Sequence, residues 1–119
     1  MGLLDNLLQK NGNKSSTEPE QAVIVHFEAG SPYQSRLFAL EDRLEQVIAS
    51  TGTGELDGNE IATDGSDGYL YMYGPDADAL FTAVRPTLDA VDFMKGARVM
   101  LRYGPPEEGV EQVEIVLGA

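Results

Sequence analysis

Six residues of this chain have side chains suited to binding chemistry and fall within blocks of alternating hydrophobicity. They are His26, Tyr69, Tyr71, Tyr73, Arg98 and Arg102. Aromatic rings and guanidinium groups are enriched in protein interfaces, where they supply contact area and oriented hydrogen bonds. The chain has a single histidine, which excludes a metal site built on two histidines.

A second set of candidate residues is acidic and is concentrated in one stretch. Its members are Glu55, Asp57, Glu60, Asp64 and Asp67. The sequence from 55 to 78 contains no lysine or arginine, so it predicts a negatively charged patch that suits a basic protein or a cation. An EF-hand loop beginning at Asp57 would need glycine where Ala62 stands, and we therefore predict no metal site.

No pattern typical of an enzyme occurs in the chain. It has no cysteine, which excludes disulfides, thiolate catalysis and cysteine-based metal centres. A nucleophile elbow, a Walker loop and a dinucleotide-binding glycine fingerprint are also missing from the sequence. We therefore expect a protein that is not an enzyme and carries no cofactor.

Net charge narrows the choice of partner. Twenty acidic and eight basic residues give a formal charge of −12, which repels nucleic-acid phosphates and anionic membranes. Aromatic residues on an open sheet resemble the base-stacking surface of RNA-binding modules, but the Lys/Arg-Gly-aromatic signature is missing. With no membrane-spanning apolar run and no signal-peptide pattern, we expect a cytoplasmic protein that binds neither nucleic acid nor membrane.

Turn and helix signals divide the chain into a short N-terminal segment and one domain. Residues 1–20 predict a flexible segment with a short leucine-rich stretch, and residues 21–119 predict a single α+β domain. A strand at 22–28 precedes a helix that begins near Ser31 and runs to about Ser50. A hairpin at 54–74 and a second helix after Asp76 follow, and we expect Pro86 to kink or divide that helix.

A final hairpin, at 97–103 and 110–117, completes the order β-α-β-β-α-β-β. This order predicts a ferredoxin-like two-layer sandwich, in which an antiparallel sheet carries two helices on one face. Strand alternation then assigns one set of residues to the core, namely Val23, Val25, Phe27, Leu70, Met72, Val99, Leu101, Val113 and Ile115. The alternate residues, including the six binding candidates, define a second, open face.

These observations favour a non-enzymatic interaction protein that binds a protein partner, or itself, through the open sheet face, the acidic loops or both. Two alternatives stay open. One is a small-molecule sensing domain, by analogy with other ferredoxin-like domains. The other is an immunity or inhibitor protein, whose acidic patch would mask a basic surface on its target.

Overall fold

The computed structural model describes residues 20–28 and 34–118. Its strands are β1 (Gln21–Glu28), β2 (Glu55–Ile61), β3 (Asp67–Gly74), β4 (Arg98–Arg102) and β5 (Gln112–Val116). Its helices are α1 (Gln34–Thr51), α2 (Ala77–Asp89) and a 3₁₀ turn at Asp92–Met94. The predicted leucine-rich stretch and the predicted helix start at Ser31 lie outside the described residues.

The five strands form one antiparallel sheet in the order β2-β3-β1-β4-β5. Helix α1 links β1 to β2 across β3, and α2 links β3 to β4 across β1. The predicted ferredoxin-like α+β sandwich is thus confirmed, with β5 added at the edge beside β4. This arrangement makes β1 the central strand, with β3 and β4 on either side of it, and any site on the open face depends on these three strands.

The core lies between the sheet and its two helices. Helix α1 buries a stripe that consists of Leu37, Leu40, Leu44 and Ile48, and α2 buries Leu80, Phe81, Val84 and Leu88. These residues pack against the strand residues Val23, Val25, Phe27, Leu70, Met72, Val99 and Leu101, as the alternation predicts. Helix α1 ends where Gly52 takes a φ of +66° and its N–H donates to the Ile48 carbonyl at 2.8 Å.

Helix α2 begins at the predicted cap. The Asp76 carboxylate accepts a hydrogen bond from the Ala79 N–H at 3.2 Å. Pro86 does not divide the helix, which continues to Asp89. The proline lies in the last turn of α2, and its nitrogen cannot donate a hydrogen bond to the preceding turn. Few helical residues follow it, so the missing hydrogen bond does not end the helix early.

The prediction that Val113 belongs to the core is wrong. Val113 is 41% exposed, although it pairs with the buried Leu101 across the strands and lies on the same face of the sheet. Helix α2 packs on β1, β3 and β4, whereas β5 lies beyond them at the sheet edge. A residue can therefore point towards the helical layer and still have no helix above it.

Among the described residues, no helix is both long enough and apolar enough to cross a membrane.

The two-layer core predicts a clear contrast between two positions of α1. Leu44→Ala should lower the free energy of unfolding by about 2–5 kcal/mol, because it removes fully buried methyl groups and leaves a cavity. Phe38→Ala, at a side chain that is 59% exposed, should change it by no more than about 0.5 kcal/mol. Urea unfolding followed by circular dichroism measures both; equal losses would contradict the assignment of the buried stripe.

Candidate functional site

The open face is the surface of the sheet opposite the helices, and it is formed by alternate residues of the strands. Strand pairing arranges its three central strands in three rows, which are Tyr73–Ala22–Arg102, Tyr71–Ile24–Met100 and Tyr69–His26–Arg98. All six binding candidates predicted from the sequence therefore lie on one face. Most of these side chains are half-buried, Arg98 is exposed, and Ala22 is fully buried beneath its neighbours.

Three rings form a continuous stack along this face. The rings of His26 and Tyr69 lie 4.4 Å apart with an angle of 10° between their planes. The rings of Tyr69 and Tyr71 are 6.0 Å apart at 15°. Near-parallel rings at these separations attract one another and restrict each other's rotation. The stack is therefore a semi-rigid aromatic surface.

Each end of the stack is held by a carboxylate. The Nε2 atom of His26 lies 2.7 Å from Oδ2 of Asp67, and the Tyr71 hydroxyl donates to Oε1 of Glu60 at 2.8 Å. Burial and, secondarily, the Glu60 carboxylate raise the pKa of Tyr71 to about 12. The phenol consequently stays protonated and continues to donate its hydrogen bond at any physiological pH.

These two hydrogen bonds join the acidic patch to the aromatic row, which the sequence presents as separate features. Asp67 begins β3 and Glu60 lies near the end of β2, and both flank the stack. Tyr71 and Glu60 belong to one predicted hairpin, whereas His26 and Asp67 lie on different strands and are 41 residues apart in the chain. The sequence does not give the register that brings either pair together, and each hydrogen bond runs diagonally between strands.

The other members of the acidic patch lie farther from the rings. Glu55 is exposed and pairs with Tyr73 across the strands, and Asp57 lies at a register shift in β2. Burial, followed by the charge of Asp57, raises the pKa of Tyr73. Asp64 occupies the hairpin turn, where hydrogen bonds from the Ser66 hydroxyl and N–H lower its pKa.

The cationic side of the open face lies on β4. The Arg102 Nε donates to the Gly104 carbonyl at 2.7 Å, which orients its guanidinium. Arg98 is 70% exposed in its side chain and lies 3.7 Å from the Glu114 carboxylate of β5. An exposed pair at that distance contributes little to stability. Acids therefore lie on β2 and β3, arginines lie on β4, and a further acid, Glu114, lies on β5 beside Arg98.

The described residues offer no metal centre. The acidic sequence from Asp57 to Glu60 lies within β2 rather than in a loop that could wrap an ion. Within residues 20–28 and 34–118, no three histidine, aspartate or glutamate side chains converge to hold one.

A cavity of about 390 Å³ lies away from the open face, between the end of α2, the 3₁₀ turn and the chain after β5. Arg85, Asp89, Asp92 and Lys95 line its polar part. His26, the histidine with a carboxylate beside it, does not line this cavity.

The chemistry that the open face offers is ring stacking and hydrogen bonding to a surface laid against it.

The hydrogen bonds from tyrosine hydroxyls to carboxylates predict how the pKa of each tyrosine changes when its carboxylate is removed. Glu60→Gln should move the pKa of Tyr71 from about 12 part of the way to the ordinary value of about 10, because burial remains. Tyr103, whose pKa a hydrogen bond to Asp78 raises to about 12, should not move. NMR titration of carbon-labelled tyrosine rings separates the two sites, and Asp78→Asn should give the reverse pattern.

The same titration has a consequence for stability. A pKa raised by folding means that the fold favours neutral Tyr71, so its contribution is complete below about pH 10 and is lost towards about pH 12. If Glu60→Gln moved both tyrosines equally, the hydrogen bond between Tyr71 and Glu60 would not be the cause.

Comparisons with known proteins supply a structural likeness and no family. No protein-family model matches the chain, and no curated protein matches it. Among solved structures it is similar to that of Rv0793 from Mycobacterium tuberculosis, with 16% sequence identity and a TM-score of 0.42. The likeness covers 81% of this chain and 92% of that chain. A likeness this distant carries no argument about the site.

Proposed function

We propose that this chain is a non-enzymatic interaction protein that binds another protein surface through the open face. The observation that carries the proposal is the stack of His26, Tyr69 and Tyr71, whose ends are held by Asp67 and Glu60. Tyrosine, tryptophan and arginine are enriched among the few residues that supply most of the binding energy of an interface. Here the stacked rings lie on β1 and β3, away from the two edge strands of the sheet.

The hydrogen bonds at the ends of the stack support this function through entropy. Binding normally costs about 0.5–1.5 kcal/mol for each flexible side chain that it immobilises. Tyr71 is already oriented by Glu60, and His26 by Asp67, so less freedom remains to be lost. Preorganised rings are therefore better suited to a binding surface than equally exposed rings that rotate freely.

The neighbours of the rings also fit an interface centre. Ile24 and Met100 share the middle row with Tyr71 and are half-buried. This row is apolar, while Arg98 and Arg102 provide polar contacts on the side of β4. An apolar centre surrounded by polar groups is the usual anatomy of a protein interface.

A second candidate function is inhibition of a basic protein by the acidic hairpin. It is favoured by the absence of any lysine or arginine between residues 55 and 78, together with the exposure of Glu55 and Asp57. Such a complex would depend on exposed charges and would weaken strongly as salt increases. Contact through the aromatic stack would not be weakened by salt in this way, so a salt series separates the two candidates.

Substitution of two tyrosines tests the proposed function. Tyr71→Ala should lower affinity for a captured protein partner, or for self-association, by about tenfold or more, since it removes a central ring. Tyr103→Ala is the matched control, because Tyr103 also donates to a carboxylate but lies beyond the open-face rows. Titration calorimetry and sedimentation measure these affinities. Equal effects of the two substitutions, with both folds intact, would contradict the proposal.

A further inference from the structure

The open face is self-complementary in one orientation, and we infer that its partner is a second copy of this chain, related by a two-fold axis parallel to the strands. This inference rests on the proposed function and specifies the partner. Its basis is the arrangement of side chains about the central strand β1, with tyrosines on β3 and Arg98, Met100 and Arg102 on β4 in the same three rows.

Two face-to-face sheets related by a two-fold axis can meet in two simple ways. An axis parallel to the strands exchanges the two sides of the sheet, so that β3 of one copy faces β4 of the other. An axis perpendicular to the strands keeps each strand over its counterpart and exchanges the strand ends. The observed strand order and register determine which residues meet in each case.

The parallel axis gives favourable contacts in all three rows. Tyr73 meets Arg102 of the second copy, Tyr69 meets Arg98, and Tyr71 meets Met100. Arginine and methionine side chains both pack favourably on aromatic rings. Ala22, Ile24 and His26 lie on the axis and each meets its own counterpart, with Ile24 giving an apolar contact at the centre.

The perpendicular axis gives unfavourable contacts at both sides of the face. Arg102 would meet Arg98 of the second copy on β4, and Glu55 would meet Glu60 on β2. Like charges placed opposite one another oppose association and are used to exclude wrong pairings. The charges therefore select the parallel axis.

The size of the face and the total charge define the strength of this dimer. Five strands about 4.8 Å apart and five residues long give on the order of 400 Å² of sheet in each copy, a small interface. Two copies of formal charge −12 also repel one another over long range. We therefore expect a weak dimer that is strengthened by moderate salt, opposite to the behaviour expected of a complex with a basic protein.

The absence of cysteine from the chain allows a direct test by crosslinking. Glu55→Cys and Gln112→Cys lie at exposed positions of the two edge strands in the same row, and the parallel axis makes them face each other. The perpendicular axis would instead bring Gln112→Cys to Val116→Cys. A third pair, labelled and unlabelled Ala39→Cys, has its cysteine at an exposed position of helix α1 and reports random collision.

Each pair of variants is mixed, with one member isotope-labelled, and treated with a short bis-maleimide at low and moderate salt. The expected result is a several-fold higher yield of mixed dimer from the Glu55→Cys and Gln112→Cys pair than from either other pair, increasing with salt. A preference for the Gln112→Cys and Val116→Cys pair would overturn the axis.

Yields equal to the Ala39→Cys collision control at every salt concentration would overturn the second copy as the partner. The proposed function would survive that result if Tyr71→Ala still weakened binding of a different protein while Tyr103→Ala did not. It would fail together with the inference if no association of either kind depended on Tyr71.

Discussion

Alternation of side chains along β1 and β3 is the constraint on which the rest of this structure depends. In β3 the even-numbered residues Leu70 and Met72 are fully buried, and the odd-numbered tyrosines lie on the other face. Strand β1 follows the same rule with Val23, Val25 and Phe27 buried. The helices cover the first set. The second set forms a surface whose side chains need not be apolar, because they do not fill the core.

Most of the fold follows from local sequence signals. The stripes on α1 and α2, the cap at Asp76 and the hairpin turn at 64–66 each depend on residues close in sequence. The prediction for Val113 is wrong because the helices pack on other strands of the sheet and leave β5 uncovered. The predicted division of α2 at Pro86 does not occur, because the helix ends only three residues later. Neither the alternation nor the presence of a proline carries this information.

The candidate site was predictable as a list of residues but not as a connected arrangement. Period-two spacing places the three tyrosines on one face whatever the strand order. The bonds from Tyr71 to Glu60 and from His26 to Asp67 depend on register, and a shift at Asp57 changes the register of β2. Those bonds orient the rings. The orientation of the rings, which most favours a binding function, therefore cannot be predicted from the sequence without the register.

The central claim, that association covers the open face, is tested most directly by hydroxyl-radical footprinting at low and high protein concentration. The account predicts that Tyr69, Tyr71, Tyr73 and Met100 become protected as concentration increases, while the exposed Phe38 of α1 keeps its reactivity. Protection of Phe38 with unchanged reactivity of the three tyrosines would place association on the helical layer and contradict the account.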